Sequence, residues 1–164
     1  MGYTTDFEGA FAVTPPLRPE HAAYLRAFAN TRRMTRDERA TLALPDPLRL
    51  AVGLTIGKGG GYYVGAAGFK GQDHTPEVTN YNHEPDGQHS LWCDWEPNEA
   101  GTAIEWNGME KFYNYTAWLQ YVLDHFLTPW GYALSGDVRW QGEDPLDRGT
   151  LTVVDGRAVE AVAR

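Results

Sequence analysis

The residues best placed to do chemistry are polar side chains that alternate with large apolar ones around a polar turn at residues 96–101. Asp94 lies on one side of this turn and Glu105 on the other. Alternate side chains of an extended strand point to opposite faces, so a hairpin over Leu91–Trp106 would direct both carboxylates away from its apolar face. Carboxylates beside an aromatic ring bind sugars, nucleosides or cations, and Trp92 is the ring expected there.

A second polar group follows between Tyr132 and Gln141, where apolar and polar residues alternate again. If this strand lies near the hairpin with Trp140 turned inward, Arg139 and Gln141 share the polar side, and the following turn adds a carboxylate. The predicted ligand-binding set therefore has six members: Trp92, Asp94, Glu105, Arg139, Gln141 and Glu143.

Two functions are compatible with this set. The favoured one is a binding module for a small molecule or a protein partner, through the polar sheet face or the aperiodic loop at residues 65–89. The alternative is a hydrolase or transferase in which Glu105 and Glu143 divide acid and base roles within about 10 Å of each other. Alternation alone also explains these residues as ordinary solvated sheet positions.

Other chemistries have less support, and we expect neither a metal nor a cofactor. A histidine-rich stretch ends at the single cysteine, Cys93, but its spacing matches no closed zinc site. Neither Ser90 nor Ser135 stands in a Gly-x-Ser-x-Gly motif. The run Gly57–Gly61 lacks the Lys-Ser/Thr pair of a phosphate-binding loop and indicates a turn leading into a strand at Tyr62–Val64. The histidines of the stretch are His74, His83 and His89.

The charge balance argues against nucleic acid as a partner. The net charge is −8, and a nucleic-acid binder needs Lys and Arg to displace counterions from phosphates. The one basic cluster is expected to form a solvated stripe, with an anionic ligand as the less favoured alternative. An acidic decoy for a nucleic-acid-binding protein would need clustered carboxylates, and these are spread along the chain. The basic cluster consists of Arg32, Arg33, Arg36 and Arg39.

We expect a cytoplasmic protein that does not enter a membrane. One cysteine excludes an internal disulfide, no signal peptide is evident, and no apolar run approaches the ~18 residues of a membrane-spanning helix.

The periodicities predict an α+β fold in a single domain over residues 1–164. Apolar residues recur at helical spacing over 19–30 and 110–128, and short helical turns are expected at 36–43 and 46–51. A strand at residues 7–14, the hairpin, the strand ending at Gln141 and a hairpin closed by Asp155-Gly156 favour an antiparallel sheet. The expected architecture is five to seven strands with the two main helices packed on one face.

Three segments, MGYTTDFEG, LWCDWEPNEAGTAIEWNGMEKFYNY and WGYALSGDVRWQGEDPLDRG, together resemble a family of small uncharacterised proteins of bacteria and bacteriophages. The likeness extends over most of the chain. It implies a cytoplasmic protein associated with phages or mobile elements, and it implies no reaction.

Overall fold

A computed structural model describes residues 2–66 and 75–163 and confirms the α+β fold with an antiparallel seven-stranded sheet. The chain divides into two compact units. We call Met1–Leu17 with Asp94–Arg164 the sheet unit, and Arg18–Cys93 the arginine unit. The single domain over residues 1–164 stays a prediction.

The sheet unit contains seven strands in the order β5-β6-β2-β7-β8-β9, with β1 also paired to β7. All of the pairs are antiparallel. The strands are β1 (Asp6–Gly9), β2 (Phe11–Thr14), β5 (Trp95–Pro97), β6 (Ala103–Trp106), β7 (Ala133–Gln141), β8 (Arg148–Val154) and β9 (Arg157–Val162).

Alternation along the central strands separates a buried inner face of this sheet from an exposed outer face. Along β7, Leu134, Val138 and Trp140 are buried, whereas the residues between them are exposed. On the inner face Phe7 packs against four aromatic rings, with centroid distances of 4.9 to 5.8 Å. Trp95 and Phe112 are buried within this cluster, and the burial of such large rings favours folding. The four rings are Trp95, Trp106, Phe112 and Tyr115.

One helix, α4 (Tyr115–Val122), contacts the sheet from the inner side and continues into a wider turn at Leu123–Leu127. Thr116 at its start donates a 2.5 Å hydrogen bond to Glu160 of β9. The predicted start at residue 110 is wrong. The backbone at Asn114 is left-handed, with φ of 57°, and a helix cannot propagate through such a residue.

The predicted hairpin over residues 91–106 is confirmed in its second part only. Trp95 pairs with Trp106, and both point to the inner face as expected. Residues 91–94 are not a strand. The hairpin closed by Asp155-Gly156 is confirmed with its turn residues at positive φ, the geometry that a two-residue loop requires.

The arginine unit has few regular elements. Helix α1 ends within a residue of its prediction, and the two short helices fall inside their predicted ranges. A strand of two residues pairs with a second strand of three residues. The elements are α1 (Pro19–Ala29), β3 (Thr35–Arg36), α2 (Glu38–Leu42), α3 (Pro47–Ala51) and β4 (Val78–Asn80).

Side chains take the place of a β-ladder along residues 57–65 of this unit. The predicted strand at Tyr62–Val64 is wrong, although this backbone is buried. Buried polar groups need partners once they leave water, and the carbonyls of this segment accept hydrogen bonds from side chains, whereas the N–H groups of Tyr62 and Tyr63 bond to nearby backbone carbonyls. Tyr24 donates to the Tyr62 carbonyl at 2.7 Å, and Arg33 donates to the carbonyls of Gly61 and Tyr63.

The basic stripe predicted to be solvated is also wrong. Arg32, Arg33 and Arg36 are 7, 1 and 3% exposed, and only Arg39 lies at the surface. Arg36 forms a buried ion pair with Glu77 at 3.0 Å and stacks on Tyr63. Burial lowers the pKa of the Arg36 guanidinium, and the Glu77 carboxylate opposes that effect.

Candidate functional site

The sheet unit has an open groove of about 670 Å³ that crosses β1, β7 and β8 and reaches the residue after β9. Its volume lies in the range of ~300–1,000 Å³ that is usual for small-molecule sites. We call it the polar groove. Its polar lining residues are Asp6, Glu8, Arg139, Gln141, Arg148 and Thr150.

Strand register arranges these six residues in two parallel rows. In the first row Asp6 pairs with Gln141, which pairs with Arg148. Adjacent strands lie about 4.8 Å apart, so the backbone positions of Asp6 and Arg148 are separated by about 10 Å. The second row, two residues along each strand, is Glu8, Arg139 and Thr150.

The groove therefore has an acidic end on β1 and a basic end on β8. In the second row the Arg139 guanidinium meets the Glu8 carboxylate at 2.9 Å, and both side chains are more than 70% exposed. An ion pair this exposed contributes at most about 1 kcal/mol, so a ligand displaces it at little cost.

The other four polar side chains are available to a ligand. Within the described ranges, Asp6, Gln141, Arg148 and Thr150 make no side-chain hydrogen bond or ion pair. Together they offer a guanidinium fork, an amide, a hydroxyl and a carboxylate on backbone fixed by ladder hydrogen bonds. A guanidinium matches a carboxylate or phosphate with two parallel hydrogen bonds.

Two of the six predicted site residues, Arg139 and Gln141, lie in the polar groove. Glu105 and Glu143 do not line it. The register of β6 with β2, and of β2 with β7, places Glu105 near the level of Asp137. Glu143 follows the end of β7 at Gln141, which is four residues or ~13 Å further along that strand. This backbone separation gives no support to the acid/base pair of the hydrolase or transferase, whose carboxyl groups should lie within ~10 Å of each other.

Asp94 was predicted on the polar, solvent-exposed face of the sheet and is instead buried, at 4% exposure. Burial raises its pKa to about 6, while a 3.2 Å hydrogen bond from the Asn107 amide works in the opposite direction. The side chain is turned inward because residues 91–94 do not continue the strand on which the alternation was projected.

Trp92 belongs to the arginine unit, where it is half-buried outside any strand. Part of the predicted 65–89 loop, residues 67–74 with His74, lies outside the described residues. The rest of that loop contains β4 and holds Glu77 against Arg36. No three metal-ligating side chains converge within the part of the chain that the structure describes.

The sequence reasoning missed Asp6, Glu8, Arg148 and Thr150. Asp6 and Glu8 alternate with Phe7, so the signal for an outward-facing pair was present. The strand order was not predictable, because the partner of β1 lies about 130 residues away.

The three comparisons with known proteins returned nothing: the chain matches no family model, no curated protein and no solved structure. The resemblance to small bacterial and phage proteins therefore stays a prediction. Among the helices of residues 2–66 and 75–163, none is both long and apolar enough to cross a lipid bilayer.

Proposed function

We propose that this protein is a binding module whose polar groove holds a small hydrophilic ligand with an anionic group. The observation that carries the proposal is a groove of about 670 Å³ in which Arg148 and three other polar side chains have no partner within the described residues. Arg148 anchors the carboxylate or phosphate of the ligand.

The remaining side chains select the rest of the ligand. Gln141 stands between Asp6 and Arg148 in register and offers both a donor and an acceptor. The Asp6 carboxylate accepts hydrogen bonds, and it favours a donor or a cation about 10 Å from the anion site. An amino-acid derivative or a short peptide has this combination of charges.

The cellular setting belongs to the proposal as well. The single cysteine supports a cytoplasmic protein. The resemblance to bacterial and phage proteins supports an association with phages or mobile elements.

A thermal-shift screen tests the proposal. The library contains inorganic phosphate, amino acids, dipeptides, sugar phosphates and uncharged sugars. A ligand that binds only the folded state raises the apparent melting temperature, and we expect this from anionic members alone. The proposal fails if no anionic compound shifts the transition.

A matched pair of arginine variants locates the binding. Arg148→Gln removes the anchor, whereas Arg157→Gln removes an exposed arginine of β9 that does not line the groove. Calorimetric titration of a screen hit should show at least ~10-fold weaker binding to Arg148→Gln, the loss expected when a charge-assisted hydrogen bond of ~1.5–3 kcal/mol disappears. Binding to Arg157→Gln should be unchanged. Equal losses in both variants would mean that the hit binds by overall charge, and not in the groove.

A further inference from the structure

The segment Leu42–Leu54 of the arginine unit is folded with its charges inside and its apolar side chains outside. Its only charged residues, Asp46 and Arg49, are 1 and 4% exposed. None of its ten apolar side chains is buried, and Leu42 and Leu50 are 57 and 65% exposed. We call this surface the apolar patch.

Internal hydrogen bonding explains the inversion. Asp46 accepts from Arg49 at 2.6 Å and from the backbone N–H groups of Val64 and Gly65. Arg49 also donates to the Leu54 carbonyl at 2.8 Å. Both charges are therefore satisfied inside the unit, and the Asp46 side chain does not cap α3.

The burial pattern of α3 shows what faces outward. Arg49 is buried, whereas Pro47, Leu50 and Ala51 are exposed. Leu42 at the end of α2 is exposed as well. Exposed apolar residues that are concentrated in one segment, and not scattered singly, are typical of an interaction site.

We infer that the apolar patch is a self-association surface, occupied by the apolar patch of a second copy of this chain in a two-fold dimer. Charge selects this occupant. The arginine unit has nine basic and eight acidic residues, a net charge of +1, whereas the sheet unit has five and fourteen, a net charge of −9. Two copies that each carry −8 meet with least repulsion at the arginine unit.

The rim of the patch supports the same occupant. Glu38 and Arg39, neighbours on the exposed side of α2, carry opposite charges. In a two-fold interface the same surface contacts itself, so each charge finds its opposite on the second copy. An anionic membrane surface is a poorer fit, because Arg39 is the only basic side chain between residues 37 and 48.

The size of the patch predicts a weak dimer. Stable interfaces use about 20–30 residues from each partner, and the patch offers about half of that number, so we expect a Kd of roughly 10–100 µM. The interaction is therefore detectable at concentrations above that range.

Sedimentation equilibrium of the full chain tests the inference between about 1 and 500 µM. The average mass should rise from 18.3 kDa towards twice that value. The double variant Leu42→Glu/Leu50→Glu should have its Kd raised at least ~10-fold, because each buried charge enters the interface twice, so its average mass should rise only at correspondingly higher concentrations. The matched control, Met109→Glu/Leu146→Glu, charges two residues of the sheet unit that are 60 and 80% exposed and should dimerise as the wild type does.

Near-UV circular dichroism checks that the charged variant is folded. If it is not, Leu42→Ala/Leu50→Ala replaces it and should weaken the dimer by a smaller factor. A wild type that remains at 18.3 kDa throughout overturns the inference. So does a dimer that the Leu42/Leu50 variant retains, or a wild-type monomer that binds neutral phosphatidylcholine vesicles.

Discussion

The two units solve the same problem, the pairing of buried polar groups, in opposite ways. In the sheet unit the backbone pairs with itself in a seven-stranded ladder, and the described core contains one buried charged residue, Asp94. In the arginine unit six charged residues are buried within the described ranges, and several hold backbone in place. These six are Arg32, Arg33, Arg36, Asp46, Arg49 and Glu77.

The difference shows where each unit is vulnerable. A ladder distributes its hydrogen bonds over many residues, so one side chain matters mainly through packing. A network of charged side chains concentrates its hydrogen bonds on a few residues. The Asp46 carboxylate, for example, accepts hydrogen bonds from Arg49 and from two backbone N–H groups. We therefore expect single substitutions to cost most in the arginine unit.

The largest expected effect is that of Asp46→Ala. It leaves the Arg49 guanidinium buried without its counter-ion and removes the acceptor of two amides, which costs about 3–5 kcal/mol of unfolding free energy. Urea unfolding followed by circular dichroism measures the loss. The double variant Asp46→Ala/Arg49→Met removes both charges and should recover part of it.

The exposed ion pair of the sheet unit is the control. Glu8→Gln breaks the Glu8–Arg139 pair and should change the unfolding free energy by less than ~1 kcal/mol. Equal losses of unfolding free energy in Asp46→Ala and Glu8→Gln would contradict this difference between the two units.

Much of the sheet unit follows from sequence, because its signals are local. Alternation over residues 133–141 and the Asp155-Gly156 turn predict elements that depend on neighbouring residues. The arginine unit does not follow in this way. Arg36 can be buried because it pairs with Glu77, which is 41 residues away in the sequence. Arg33 can be buried because it donates to carbonyls that are 28 and 30 residues away.

The candidate site shows the same division. Arg139 and Gln141 were predictable, since they alternate with buried residues on one strand. Asp6 and Arg148 join them only through strand order, which no local pattern specifies. Asp94 was misplaced because alternation was extended past the true start of β5.

The second-largest effect concerns Asp94, the exception within the sheet unit. Its pKa is raised from 3.8 to about 6, so the folded state binds a proton more tightly than the unfolded state. The contribution of Asp94 to the free energy of unfolding is therefore greatest below pH 4. It falls by up to about 3 kcal/mol as the pH rises through 6. Asp94→Asn should stabilise the protein at pH 7.5 and have no effect at pH 4.

Denaturant unfolding of both proteins at the two pH values checks this sign. The Asn side chain retains an acceptor for the Asn107 amide, so the hydrogen bond is a constant in the comparison. A stability difference that is the same at pH 4 and pH 7.5 would show that Asp94 is not desolvated.

The third effect is steric and concerns the packing of β8 against its neighbouring strands. Gly149 lies directly opposite Trp140, and a Cβ there would come within 2.7 Å of the indole Cζ2 and collide with the Ala161 carbonyl. Gly149→Ala should cost roughly 1–3 kcal/mol of unfolding free energy. Thr150→Ala, one residue along and facing outward, should cost less than ~0.5 kcal/mol in the same urea titration. Equal costs would mean that the inner face is loosely packed.

The most direct test of the proposed function is an amide chemical-shift titration of the labelled protein with the strongest anionic hit of the thermal-shift screen. Binding in the polar groove predicts that the largest shifts fall on residues 6–8, 139–142 and 148–150, with the Arg148 side-chain N–H among them. Shifts that instead centre on the side-chain-held segment at residues 57–65, or that spread over both units in proportion to exposed arginine, would contradict it.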